Sequence, residues 1–193
     1  MGLPATKLLT YAEYLAAEEL AVEKHHFVDG EMFAMSGGSR VHSALQTRLL
    51  GRLVVGLEGR RCVPHGSELR VHLPHLGEAC YADALVICGR FEASPIDPQA
   101  TTNPTVVCEV LSPSTEGYDR GRKFEKYRGL ASLREYVLLA QDRPLVELFR
   151  REPDGGWRLQ EFRAGDSLEL RSLGLNLPID DLYRGVFDEE PTE

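Results

Sequence analysis

Nowhere does this chain of 193 residues stay apolar for the roughly eighteen positions that a membrane-crossing helix needs. Its opening, MGLPATKLLTYAEYL, has one lysine, no long apolar core and acidic residues soon after, so it lacks the make-up of a secretory leader. The expected compartment is the cytoplasm, with no membrane partner. Cysteine is sparse: Cys62, Cys80, Cys88 and Cys108, none in a CxxC pair. Three of them lie in or beside strand-like runs, where cysteine acts as a small hydrophobe, and disulfides are not expected in that compartment. His72 and His75 fall between Cys62 and Cys80, but the spacing fits no structural zinc pattern.

Positive charge is short as well. Lys and Arg total 22 against 30 Asp and Glu, a formal net charge of -8. A protein that grips nucleic acid by its backbone carries a basic surface. Any such affinity here must come from a local patch, a partner or a bound metal.

What is present is globular. Apolar residues make up 42% and charged residues 27%, enough for one sizeable core. The expectation is a single domain over 1–187 followed by an acidic tail, 188–193. Thr10 and Glu13 form a capping-box pattern opening a helix over about 10–20. Asp29-Gly30 between apolar runs predicts a hairpin. From Ser39, apolar residues recur at helical spacing through Leu57. Strand-like runs follow at 62–73, 81–88 and 105–112, then a polar helix over 119–129 ending at Gly129, and a strand at 134–140. A second hairpin turns at 153–156, and LPIDDLYRGV reads as a short last helix. The order from residue 39 is helix, three strands, helix, strand, an α/β arrangement around a mixed sheet that the N-terminal hairpin and the C-terminal strands extend.

Two carboxylates interrupt this pattern. Asp83 stands among Ala82, Ala84, Leu85, Val86 and Ile87, and Glu109 among Val106, Val107, Cys108, Val110 and Leu111. A carboxylate in such a run is costly to bury unless it is paired or binds a cation. Two on consecutive strands point to one shared acidic site of the kind a hard cation uses with water and phosphate oxygens. The plainer reading is two strand-end carboxylates, solvated or salt-bridged. Ser112 and Ser114 lack the surroundings of a nucleophile and read as turn residues.

The runs YADALVIC, CEVLSPST, YDRGRKFEKYR and LREYVLL together resemble a large bacterial family of restriction-endonuclease-like proteins, the Uma-two family. The likeness extends from VDGEMFAMSGGSRVH to DLYRGV and is most specific in EVLSPSTEGYDRGRKFEKYR. The resemblance implies a PD-(D/E)XK core and a Mg²⁺- or Mn²⁺-dependent endonuclease acting on nucleic acid, DNA rather than RNA. It maps the family's Asp onto Asp83, its Glu onto Glu109, its lysine onto Lys123, its hairpin Glu onto Glu31 and its helix-start His onto His42. Metal ligands by resemblance are Asp83, Glu109 and the Val110 carbonyl. Ala82 replaces the family's usual Pro. Leu111 occupies the wider superfamily's lysine position, so Lys123 must supply that charge from the helix. The alternative is a catalytically degenerate nuclease fold that binds nucleic acid or protein. The strand edge of the C-terminal hairpin leaves room for a homodimer.

Overall fold

The protein is mixed α/β in a computed structural model that describes residues 8–35 and 37–188; the expected acidic tail lies almost wholly outside them. Thr10 caps α1 (Tyr11–Glu18). Its hydroxyl accepts the Glu13 N–H at 3.2 Å, and the Glu13 carboxylate accepts the Thr10 N–H at 2.8 Å. The antiparallel strands β1 (His25–Val28) and β2 (Glu31–Ala34) meet at Asp29 and Gly30, with φ of 51° and 80°. Two consecutive positive φ values match the turn to the twist of the strands, which is why Asp-Gly forms it. Ser39 caps α2 (Arg40–Leu57), whose Leu45, Leu49, Leu53 and Leu57 are buried. Burial of each is worth roughly 1.5–3 kcal/mol, well above any surface ion pair on the helix's outer face.

Eleven strands and helical turns follow: β3 (Cys62–Gly66), β4 (Arg70–Leu73), β5 (Glu78–Tyr81), β6 (Ala84–Cys88), β7 (Ala100–Thr101), β8 (Val106–Val110), a helical segment, β9 (Glu135–Leu139), β10 (Leu145–Arg151), β11 (Trp157–Arg163), β12 (Ser167–Leu170) and β13 (Leu175–Pro178), then α5 (Ile179–Tyr183). The helical segment joins α3 (Glu116–Tyr118), a π-helical turn (Asp119–Lys123) and α4 (Phe124–Arg128).

The strands divide between sheets. One runs β11-β10-β9-β8-β6-β3, with only β8 and β9 parallel; another runs β2-β1-β5-β4-β7; β12 and β13 pair separately. Two expected strands are therefore broken in two. The stretch 62–73 bends at 67–69 and passes from one sheet to the other, and the stretch 81–88 does the same at Ala82-Asp83. The N-terminal hairpin extends the smaller sheet.

Alternation along the strands of the six-stranded sheet fixes its two faces. Ala84, Val86, Val106, Cys108, Val110, Val137 and Leu139 pack against α2 and the C-terminal segment. Leu85, Ile87, Val107, Leu111, Tyr136 and Leu138 pack with α4 and with Val71, Leu73 and Cys80 of the smaller sheet. The six-stranded sheet is thus the middle layer.

The expectation of four unpaired cysteines is corrected. Cys62 and Cys88 face each other in the β3–β6 register and form a disulfide, with Cα atoms 3.9 Å apart. The pairing is a matter of register, which a separation of 26 residues does not reveal. Cys80 and Cys108 are free and buried.

Candidate active site

Glu109 falls on the same alternation as Val107 and Leu111, so its side chain enters the layer beneath the helical segment, where it is 3% exposed. Asp83 sits where the chain leaves β5 for β6, with its side chain mostly buried. Its N–H approaches Glu109 Oε2 at 3.4 Å. The passage between sheets is what brings the two carboxylates together.

Lys123 reaches the same place from the opposite layer. Its Nζ lies 2.8 Å from Glu109 Oε1 and 3.6 Å from Asp119 Oδ1. Asp119 and Lys123 bound the π-helical turn and both point inward. Such turns widen a helix and recur at functional sites. The buried Tyr136 hydroxyl donates to the Asp119 carbonyl at 3.0 Å and steadies the turn. Leu111 is buried in the apolar layer, and the positive charge at this site comes from the helix.

Asp83 is held on every side. Its Oδ2 accepts the Val110 N–H at 2.7 Å, and its Oδ1 lies 3.0 Å from His42 Nε2. Gln46 donates to the Asp83 carbonyl at 2.8 Å. His42 and Gln46 are four residues apart on α2 and so share a face. Glu109 is less well served. Lys123 is the one close partner of Oε1 among the described residues, at 2.8 Å and off the line of an ideal hydrogen bond.

The electrostatics follow from burial. Desolvation pushes the Glu109 carboxyl up to about 8; the ammonium of Lys123 opposes this, while Asp83 and Asp119 add to it. Asp83 is raised as well, again by burial, against the Val110 N–H, Lys123 and His42. Burial works against the charge of Lys123, but Glu109 and Asp119 outweigh it and hold the ammonium firmly protonated. Three carboxylates share one cation, and the two on the sheet side, Glu109 and Asp83, hold protons to higher pH than they would in water.

Asp83, Glu109, Lys123 and His42 thus converge, and Val110 joins them through its N–H. Glu31 does not. It is exposed at the start of β2, and its carboxylate meets none of Asp83, Glu109 and Lys123. Lys126, one turn from the site on another face, pairs with Glu78 at 2.5 Å. Tyr127 is fully enclosed in the apolar layer.

Asp119, Gln46 and His26 escape a reading of the sequence. The i, i+4 spacings Asp119–Lys123 and His42–Gln46 were the available signals for two of them. His26 had none. Its Nδ1 accepts the Tyr81 N–H at 3.2 Å, two residues before Asp83. Burial, with Lys123 and Lys24 nearby, lowers its pKa to about 3. An accepting Nδ1 and a neutral ring leave the proton on Nε2.

A hard divalent cation fits the donor set: one carboxylate just before β6 and one on the adjoining β8, the latter with a buried oxygen lacking an aligned donor. Among the described residues no group of three or more His, Cys, Asp or Glu is placed to hold a metal ion, so the protein would offer two carboxylates and leave the other positions to water and phosphate oxygens. The family described as "Putative restriction endonuclease", Uma2, matches residues 11–180. The chain belongs to the Uma2 family. Two uncharacterized proteins of Synechocystis sp. are similar along nearly their whole lengths. One is 38% identical over 92% of this chain and 93% of its own, the other 34% identical over 88% and 96%. Among solved structures, one described as a putative nuclease belonging to DUF820, from Anabaena variabilis, superposes with a TM-score of 0.76. It covers 91% of this chain and 97% of that one at 17% identity, which makes it a likeness of fold. No helix among the described residues is long and apolar enough to cross a membrane.

Proposed function

We propose that this Uma2 protein is a metal-dependent endonuclease that hydrolyses phosphodiester bonds of nucleic acid, DNA rather than RNA, within one domain over 1–187. The observation that carries the reading is the meeting of Asp83, Glu109 and Lys123 in one buried cluster, with Lys123 Nζ 2.8 Å from Glu109 Oε1 and the Asp83 N–H 3.4 Å from Glu109 Oε2. Asp83 and Glu109 would hold Mg²⁺ or Mn²⁺, with the Val110 carbonyl as a further ligand by family resemblance. When bound, the ion neutralises the phosphoryl oxygens and lowers the pKa of the attacking water.

The chain's own groups do the rest. Lys123 keeps its proton and acts as a fixed positive charge beside the phosphoryl group, not as a base. His42 and the Val110 N–H hold the two Asp83 oxygens, and Gln46 holds its carbonyl, so that carboxylate keeps one orientation. Enclosure of Glu109 and Lys123 excludes bulk water and strengthens every charge interaction there. Water oxygen adds to phosphorus, the bond to one ester oxygen breaks, and a proton given up by the water ends on that departing oxygen as its hydroxyl, leaving a phosphomonoester.

The test is incubation of the purified protein with duplex DNA, single-stranded DNA and RNA in Mg²⁺ or Mn²⁺, beside Asp83→Asn and Lys123→Ala. Metal-dependent cleavage lost in both variants is the expected result. No cleavage of any substrate, together with no metal binding by calorimetry, leaves the degenerate-fold reading. The excess of carboxylates over cations at the site favours the ion-binding reading.

A further inference from the structure

The acidity of the chain poses a question that the active site does not answer: what would hold a strand of nucleic acid against it. A groove of about 770 Å³ runs beside the helical segment. Its walls are the turn between β4 and β5, the outer face of the helical segment, and the hairpin of β10 and β11. Arg122, Lys126, Arg128 and Arg151 line it, with Trp157.

Of the three carboxylates that line the groove with these cations, Asp29, Glu78 and Glu125, two are paired within it and Asp29 stands at the hairpin turn on its edge. Glu78 is paired with Lys126 at 2.5 Å and accepts the Asp29 N–H at 3.2 Å. Glu125 lies 3.6 Å from Arg128. The leftover positive charge sits on Arg122 and Arg151. Arg122, next to Lys123 in the chain, is exposed and meets no carboxylate among the described residues. Arg151 donates to the carbonyls of Arg128 and Leu130, at 2.5 and 2.9 Å, and its guanidinium lies over the Trp157 ring at 4.9 Å. Its Nε–H is buried and finds no acceptor. Burial and the neighbouring Arg134 both disfavour its charge, a crowding that an anion would relieve. Arg120 takes no part, since Glu116 and Glu147 already hold it at 2.6 and 2.8 Å.

We infer that this groove binds the phosphodiester backbone of the nucleic acid strand that flanks the active site, with Arg122 and Arg151 as its phosphate contacts. The inference takes its ligand from the nuclease reading. Planar guanidinium forks suit phosphate oxygens, and a cation held against an aromatic face is a recurring part of strand-binding grooves. A chain with net charge of -8 repels a polyanion everywhere except where its positive charges are left uncompensated. The helical segment supplies Lys123 to the cluster and Arg122 to the groove, so one element would align the strand with the scissile bond.

Trp157 is the only tryptophan in the chain, so its emission reports on this groove. The experiment titrates the full chain, with metal chelated so that nothing is cut, with oligonucleotides of duplex DNA, single-stranded DNA and RNA at several salt concentrations. The expected result is a change in Trp157 emission with at least one of the three. Arg122→Ala should weaken binding by about two- to tenfold at low salt and reduce the slope of log affinity against log salt by about one. Arg122→Glu should weaken it further, and Arg90→Ala, after the far end of β6, should change nothing. Arg122 is exposed, so these variants leave the core intact. Silent Trp157 emission, or an unchanged salt slope in both Arg122 variants, would overturn the inference. Binding does not depend on cutting, so a protein that binds through Arg122 yet cleaves nothing sinks the nuclease reading alone. Cleavage indifferent to Arg122 sinks the groove alone.

Discussion

Arg70 and Lys123 are both buried cations, 8% and 5% exposed, but their surroundings differ. Arg70 meets Asp97 through two parallel bonds, Nε to Oδ2 at 2.6 Å and Nη2 to Oδ1 at 3.0 Å. Its Nη1 donates to the Tyr81 hydroxyl, which donates on to Glu18, and Tyr11 completes Asp97 at 3.0 Å. Burial works against the charge of Arg70, but the bonds to Asp97 and its other neighbours prevail and hold its pKa above the usual value. Around Lys123 the balance is different. Asp83, Glu109 and Asp119 share one ammonium, Glu109 keeps a proton up to about pH 8, and its Oε1 has no aligned donor. A buried network that serves only the fold is satisfied within itself. One that is short of cations has room for an ion from outside.

The contrast can be broken first at Asp97. Asp97→Asn leaves the Arg70 charge buried and unpaired, and urea unfolding should show a loss of about 3–5 kcal/mol. Removing a carboxylate at the other cluster should do the reverse. Glu109→Gln replaces a carboxyl that the fold holds protonated below about pH 8 with a neutral group of the same shape, so stability should hold or rise by up to about 1 kcal/mol in the same assay, while metal binding by calorimetry is lost.

The pH dependence sharpens the comparison. The folded chain holds the Glu109 proton up to about pH 8, and the unfolded chain releases it near 4.5. Between those values the folded state carries more protons, so Glu109 contributes stability at low pH that is lost as pH rises. Urea midpoints should fall from pH 5 to pH 8, and Glu109→Gln should flatten that slope. A slope that persists in the variant would place the retained proton elsewhere. The smallest effect is expected at His42. His42→Ala removes one partner of Asp83 and should cost about 1 kcal/mol in the same unfolding assay, with cleavage weakened more than stability.

Much of the fold was legible in local chemistry. The Thr10–Glu13 cap, the Asp29-Gly30 turn and the leucine spacing of α2 each depend on residues a few positions apart, and each was found where expected. The breaks at 67–69 and 82–83 were not legible as changes of sheet: Gly66-Ser67-Glu68 is a polar turn signal and Asp83 a single charge in an apolar run, but only pairing partners decide which sheet each half joins. The same reason hid the Cys62–Cys88 disulfide, which belongs to register. At the site, Asp83 and Glu109 stood out as charges in apolar runs, and Lys123 required the family resemblance because its helix looked solvated. Asp119 was hidden by the same look. His26 is recognised only by what it accepts, a backbone N–H from a strand more than fifty residues away.

The crossing of the chain between sheets at Ala82-Asp83 makes the centre a seam. One side of it is stitched to β5 and the first hairpin, the other to β6 and β8, and the thread passes through Asp83 itself. A seam closes only when both pieces are laid together. A chain with either sheet still unformed carries every residue of the site but not the site. On the proposed nuclease reading, cutting power would arrive in one step, with the completed fold, and a half-made copy would be harmless to the nucleic acid around it.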